Sequence, residues 1–319
     1  TGGMTAIGEP LALPTRPIHL TVDPRGQYAL LACNQPGAIR VYAIKPDGSA
    51  GREIAQKEKI IPGNYPHQVR FTADGQVVLT AALGTNPSPT QAEEPGAINV
   101  FEFADGQLRG QQIVAPLGGI GFGPRHLDIH PNGLWVYVSL ERQNRMEQFE
   151  LRGQSLSASP LSSLPLLSRP QPPEVKQHGG TVHVHPNGRF VYGVNRAWQA
   201  TDFKGTPVLA GGENTLAVFA IDPDSGALKL IEHVDTRGIH CRTFHMSPDG
   251  TTLVAAHIMG LSVRDGQQIK AVPAGLSVFR VSEDGRLVFK NFLPLELNGA
   301  SLFWMGIADF QQRTQIKES

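Results

Sequence analysis

Apolar and polar residues alternate along this chain in five similar segments, each broken in the middle by a Pro/Asp/Asn-Gly turn. They read IHLTVDPRGQYALLACN from Ile18, HQVRFTADGQVVLTAAL from His67, RHLDIHPNGLWVYVSLE from Arg125, TVHVHPNGRFVYGVNR from Thr181 and RTFHMSPDGTTLVAAH from Arg242. Period-two alternation of β-branched and aromatic residues on both sides of a turn that needs φ > 0 predicts a β-hairpin. The turn glycines Gly26, Gly75, Gly133, Gly188 and Gly250 are spaced 49, 58, 55 and 62 residues apart. A second hairpin follows each first one: AIRVYAIKPDGS at Ala38, AINVFEFADGQL at Ala97, a poorer MEQFELRGQSL at Met146, TLAVFAIDPDSGAL at Thr215 and LSVFRVSEDGRL at Leu276. Four antiparallel strands recurring about every 50 residues predict the blades of a β-propeller. A β-sandwich is the alternative, but its strands do not recur at a fixed period.

Blade geometry sorts the connections. The tight turns within hairpins fall on one side, the bottom, and the variable connections on the other, the top. Residues 83–96, 142–145, 197–214 and 257–274 are the variable top loops, and Ser155–Val175 reads as a long top-side connection or insertion. Ser301–Ile307 and Met4–Leu13 read as single strands of further blades. The whole chain, 1–319, is taken as one propeller domain with five full repeats at about 17–294.

Composition adds three limits. Glycine (35) and proline (25) make up about a fifth of the chain, in keeping with frequent turns. The 28 basic and 28 acidic residues cancel, which argues against a nucleic-acid binder working by neutralising many phosphates. Cys33 and Cys241 make neither a disulfide framework nor a CxxC metal motif, and no apolar stretch is long enough to span a membrane.

Candidate chemistry lies where first strands begin and second strands end, both on the top face. At the starts stand His67, Arg125, His126, the His178-Gly179-Gly180 approach and Arg242. At the ends stand Asn34, Glu141, Asn195, Arg196 and His257. This set offers a histidine base, a carboxylate and several arginines suited to bidentate recognition of carboxylate or phosphate. Glu141 ends the apolar run WVYVSLE, so burial could raise its pKa, while a salt bridge to a nearby arginine is the competing reading. His130 and His185 sit in bottom turns and read as structural. His183 and His185 have a spacing that could bind metal, without a third ligand beside them. Glu93-Glu94 reads as a solvated loop tip, Trp135 and Trp304 as core, and Trp198 as a top-loop residue.

The stretches NYPHQVRFTADGQ, GPRHLDIHPNGLWVYVSLE, VHPNGRFVYGVNR and CRTFHMSPDG resemble the lactonase family of seven-bladed β-propellers, along essentially the whole chain. That family includes cycloisomerase-type 6-phosphogluconolactonases and the 3-carboxy-cis,cis-muconate lactonizing enzyme. The resemblance implies a seven-bladed ring, so this chain is expected to be incomplete at its N-terminal part; a six-bladed ring completed by the two end strands is the alternative. It implies catalytic positions at His67, Arg125, Glu141 and Arg196, with Arg242 in a further arginine motif where Cys241 replaces proline. Arg242, His126, Asn34, Asn195 and His257 are expected to bind substrate. Three functions follow in order: a metal-independent, cofactor-free sugar-acid lactone hydrolase, a muconate-type lactonizing isomerase, and a non-catalytic binding platform. The expected partner is a small anionic substrate, with neither nucleic acid nor membrane, in the cytoplasm.

Overall fold

In a computed structural model, which describes residues 3–172 and 174–308, the chain is all-β and consists of successive antiparallel meanders. The first sheet takes β1 (Pro17–Val22), β2 (Tyr28–Asn34), β3 (Gly37–Ile44) and β4 (Ala50–Glu53). The second takes β5 (Pro66–Phe71), β6 (Val77–Ala82), β7 (Ala97–Ala104) and β8 (Gln107–Val114). The third takes β9 (Pro124–Ile129), β10 (Trp135–Leu140), β11 (Arg145–Arg152) and the two-residue β12 (Ser155–Leu156). An added strand, β13 (Ser162–Pro165), pairs with β11. β14 (Gln177–Val184) and β15 (Phe190–Ala197) open the fourth sheet. A separate hairpin, β16 (Ala200–Phe203) and β17 (Thr206–Leu209), precedes β18 (Thr215–Ile221) and β19 (Leu228–Asp235), which complete it. The fifth repeats that plan. It has β20 (Cys241–Met246) and β21 (Thr252–His257), a hairpin of β22 (Val263–Asp265) and β23 (Gln268–Lys270), then β24 (Gly275–Val281) and β25 (Leu287–Pro294). Each of the five sheets contains an antiparallel run of four strands.

One local device closes each first hairpin. In all five the glycine has φ between 69° and 75° and donates its N–H to the residue three before it: Asp23, Thr72, His130, His185 or Ser247. The side chain of that earlier residue then accepts a backbone N–H from the turn. Asp23 Oδ1 takes that of Gln27 (2.6 Å), Thr72 Oγ1 that of Val77 (3.1 Å), His130 Nδ1 that of Asn132 (3.1 Å), His185 Nδ1 that of Asn187 (3.1 Å) and Ser247 Oγ that of Thr252 (3.0 Å). An acceptor on the side chain is what the position needs, which accounts for histidine at two of the five.

Side chains pack between neighbouring sheets. Leu30, Ala32 and Val41 of the first meet Val78, Phe101 and Leu108 of the second, while Leu79 and Val100 of the second meet Leu127, Val138 and Phe149 of the third. Tyr192, Val194 and Val218 of the fourth meet Phe244, Leu253 and Phe279 of the fifth. Each such valine, leucine or phenylalanine contributes about 1.5–3 kcal/mol on burial. Strands β6, β10 and β15 are buried throughout, and β6 lies in the second sheet, which packs against the first on one face and the third on the other.

The chain divides into two compact units, Thr1–Glu141 with Glu147–Leu161, and Arg142–Met146 with Ser162–Ser319. Among the described residues no helix is long and apolar enough to cross a membrane.

Five expectations need correction. Met4–Leu13 and Ser301–Ile307 form no strand, and Trp304 is 49% exposed instead of core. Ser155–Val175 is only partly a loop, since it contains β12 and β13; Pro173 lies outside the described residues. Loops 197–214 and 257–274 each carry a hairpin. Glu93 and Glu94 are half-buried ties: Glu93 Oε1 accepts the Gly121 N–H (2.9 Å), and Glu94 Oε2 accepts the Thr85 hydroxyl (3.0 Å). Trp135 is buried in β10 as expected, and both cysteines are buried free thiols.

Candidate active site

The first strand of every blade slips register near its start, so that one extra residue bulges out of the ladder. In the second sheet Pro66 faces Ala82 and Gln68 faces Ala81, which leaves His67 between them. In the third, Pro124 faces Leu140 and His126 faces Ser139, which leaves Arg125. In the fifth, Cys241 faces His257 and Thr243 faces Ala256, which leaves Arg242. The first sheet leaves Ile18, and the fourth leaves one extra residue at Gly180-Thr181. A bulge turns a side chain away from strict alternation and ends its ladder duty, the usual use of bulges beside active sites. Three of the residues singled out from sequence are therefore bulge residues. Cys241 keeps the bulge at Arg242 despite replacing proline.

In the first unit the expected residues gather. Arg125 is 1% exposed, and its Nε lies 2.5 Å from Glu141 Oε2. Its Nη1 lies 3.3 and 3.5 Å from the two ring nitrogens of His126, so the guanidinium rests against that ring. The His67 ring, 6% exposed, packs against His126 at 5.0 Å between centroids. The cluster is thus His67, His126, Arg125 and Glu141, with the carboxylate facing a guanidinium as the salt-bridge reading required. His19, which the sequence reading passed over, meets His126 edge-on at 6.1 Å. It occupies the same blade position, facing Ala32 as His126 faces Ser139, and the repeat alignment could have found it. Asn34 is half-buried at the end of β2, opposite Gly37.

The remaining expected residues belong to the second unit. Arg196 is buried at the end of β15, where its Nη1 donates to the Gly179 carbonyl (2.5 Å) and its guanidinium lies 5.6 Å from the Trp198 ring centre. Trp198 stacks on His240 (4.6 Å, 12° between planes) and takes the edge of His178 (4.9 Å). Arg242 is half-buried over the Phe303 ring at 5.2 Å.

Asn195 and His257, expected to contact substrate, have no exposed surface. Asn195 donates to the Leu166 carbonyl (2.8 Å) and to Thr215 Oγ1 (2.7 Å), and accepts from Gln177 Nε2 (3.1 Å). His257 Nε2 lies 3.0 Å from both the Thr236 carbonyl and Ser277 Oγ. Polar residues at strand ends look alike in sequence whether a network or a ligand satisfies them.

His183 meets Phe244 and His245 edge-on, and His185 Nε2 donates to the Gly250 carbonyl (3.1 Å). Among the described residues no three His, Cys, Asp or Glu side chains gather as a metal site. The second unit also holds a cavity of about 540 Å³ beneath its two extra hairpins, and none of the expected residues lines it. Its one buried charge, Glu213, is engaged by Ser168 Oγ (2.8 Å), by the N–H groups of Ser168 and Arg169 and by Gln171 Nε2 (3.0 Å).

Burial pushes the His257 imidazole down to about 4. An unfolded histidine takes its proton near pH 6.5, so the stability from this group is complete above about pH 6.5, declines as pH falls and is gone below about pH 4. The expected loss is about 3 kcal/mol. Urea midpoints should therefore drop more between about pH 7 and about pH 4.5 in the wild type than in His257→Gln. Equal drops in the two proteins would contradict the assignment.

Comparison with known proteins gives a consistent picture. The family described as Lactonase, 7-bladed beta-propeller matches residues 1–263. A 6-phosphogluconolactonase of Bacillus subtilis is 27% identical over 267 residues, covering 81% of this chain and 67% of that protein. A 6-phosphogluconolactonase of Formosa agariphila is 30% identical over 253 residues, covering 76% and 64%. The chain thus spans about two thirds of the length of these relatives. The periplasmic gluconolactonase of Pseudomonas aeruginosa has a similar fold, with a TM-score of 0.63 at 23% identity over 89% of this chain and 71% of its own.

Proposed function

We propose that this chain, which belongs to the lactonase family of seven-bladed β-propellers, hydrolyses the ring ester of a sugar-acid lactone, with a 6-phosphogluconolactone as the leading substrate. The names of its relatives support the substrate class. The observation that carries the chemistry is the pairing of a bulged histidine, His67, with the Arg125–Glu141 ion pair across the His126 ring.

In this reading His67 moves the proton. A neutral imidazole is basic enough to take a proton from water near neutral pH, whereas a carboxylate held by a guanidinium is a weaker base. Water oxygen attacks the lactone carbonyl carbon as His67 accepts the water's proton. The tetrahedral intermediate then collapses with cleavage of the ring C–O bond. The imidazolium returns the proton to the departing alkoxide, leaving a hydroxy acid. Arg125 is too buried to clamp substrate broadly, so its part is to hold Glu141 and His126 in place and to supply positive potential behind them.

The test is acid release from 6-phosphogluconolactone and from unphosphorylated gluconolactone, each corrected for spontaneous opening. Hydrolysis of the phosphorylated lactone well above background is expected. Cyclisation of a carboxymuconate without lactone hydrolysis would favour the isomerase, and inactivity on both would favour a binding platform.

A further inference from the structure

Residues 83–96 connect β6 to β7, and they do more than close a hairpin. On one side they hold the approach to His67: Leu83 N–H donates to the Tyr65 carbonyl (3.0 Å), Gly84 N–H to the Asn64 carbonyl (2.9 Å), and Asn64 Nδ2 to the Pro95 carbonyl (3.2 Å). On the other they hold the approach to Arg125. Gly96 N–H donates to the Gly119 carbonyl (2.9 Å), and Glu93 Oε1 accepts the Gly121 N–H (2.9 Å). The two sides are locked together, since Thr85 N–H donates to the Glu94 carbonyl (3.2 Å) and its hydroxyl to Glu94 Oε2 (3.0 Å).

The packing leaves no slack. A Cβ at Gly96 would stand 1.8 Å from the Phe122 carbonyl oxygen and 2.8 Å from Pro124 Cδ, one residue before the bulge. A Cβ at Gly84 would stand 2.5 Å from the Glu94 carbonyl oxygen. Tyr65, two residues before His67, has φ +55°, a conformation that a side-chain-bearing residue keeps only where its surroundings impose it.

We propose that Glu93 and Gly96 are positioning residues: through this frame they fix the separation of the His67 and Arg125 bulges. Neither is a catalytic residue, because both act on backbone. The kinetic part of the inference rests on the lactonase reading; the geometric part does not.

The decisive pair is Glu93→Ala and Glu93→Gln, because a glutamine oxygen can still accept the Gly121 N–H. Displacing a reacting group by about 1 Å can cost on the order of 100-fold in rate. Glu93→Ala is therefore expected to lower kcat by about 10–100-fold with KM little changed. Glu93→Gln should restore kcat to within about threefold, since the accepted hydrogen bond survives. A wild-type kcat in Glu93→Ala, or an equal loss in both variants, overturns the proposal. Gly96→Ala should fall at least as far, but it can also fail to fold, so the decision rests on Glu93. A second readout needs no substrate: histidine ring nitrogen spectra, with the His67 signals assigned by their loss in His67→Ala. Those signals should shift in Glu93→Ala and stay in place in Glu93→Gln; unmoved signals in the alanine variant also overturn it. If no lactone is turned over at all, the functional reading fails while this spectrum still decides the positioning.

Discussion

Replacing His67 by alanine is expected to lower lactone turnover by about 10²–10⁴-fold, the range that a positioned acid–base group contributes. The expectation rests on where the side chain is. His67 is the extra residue of the β5 bulge, so it makes no ladder pair and its removal does not break the sheet. The change removes a buried ring from the face of His126, so the denaturation midpoint must be measured alongside. A loss of rate in a protein with a near-native midpoint assigns the effect to chemistry. KM should move little if the ring transfers protons and does not bind the substrate's anion. The acid limb of the kcat/KM profile, where this base would be protonated, should disappear with it. An unchanged kcat in a folded variant would remove His67 from the mechanism and leave the proton transfer to Glu141 or His126.

The second large effect concerns stability. Arg125 is among the largest fully buried side chains of the described residues, and its Nε contact with Glu141 is the ion pair of the cluster. Breaking a buried pair from one side leaves a charge without compensation and costs about 3–5 kcal/mol. Arg125→Met is therefore expected to lower the free energy of unfolding by about that amount in urea titrations. Adding Glu141→Gln should recover part of the loss, because it removes the stranded charge, although activity should not return. A loss below about 1 kcal/mol in Arg125→Met would instead place the pair with exposed salt bridges.

The blades were legible because turn chemistry repeats more faithfully than anything else in the chain. A side-chain acceptor three residues before a φ-positive glycine stands at Asp23, Thr72, His130, His185 and Ser247, and alternating residues flank every one. Smaller signals of the same kind went unread. Lys204-Gly205 and Asp265-Gly266 turn the two extra hairpins, with φ of 56° and 76° in the first and 61° at Gly266, but their strands are only three or four residues long. Apolar content alone misled at Met4–Leu13 and at Trp304, where no neighbouring strand offers a ladder.

The candidate site was half legible. Reading strand starts found His67, Arg125 and Arg242, yet that these residues leave the ladder depends on register, which no single strand encodes. Reading strand ends found Glu141 together with Arg196, Asn195 and His257, and only the partners each meets in the fold tell them apart. In β15, where every position is buried, alternation no longer marks one side as wet. Partners such as Leu166 and Thr215 lie 29 and 20 residues from Asn195, beyond any local pattern.

The recurring bulge has a consequence for how such a protein can change. A residue outside the ladder owes nothing to β-propensity or to cross-strand pairing, so selection can alter its chemistry while the blade around it stays constant. Each sheet therefore carries one interchangeable socket, filled by isoleucine, histidine or arginine in the first, second, third and fifth sheets. Ile18 is the apolar member of the series and the natural place to install a new functional group, with the outcome read as altered specificity in a scaffold of unaltered stability.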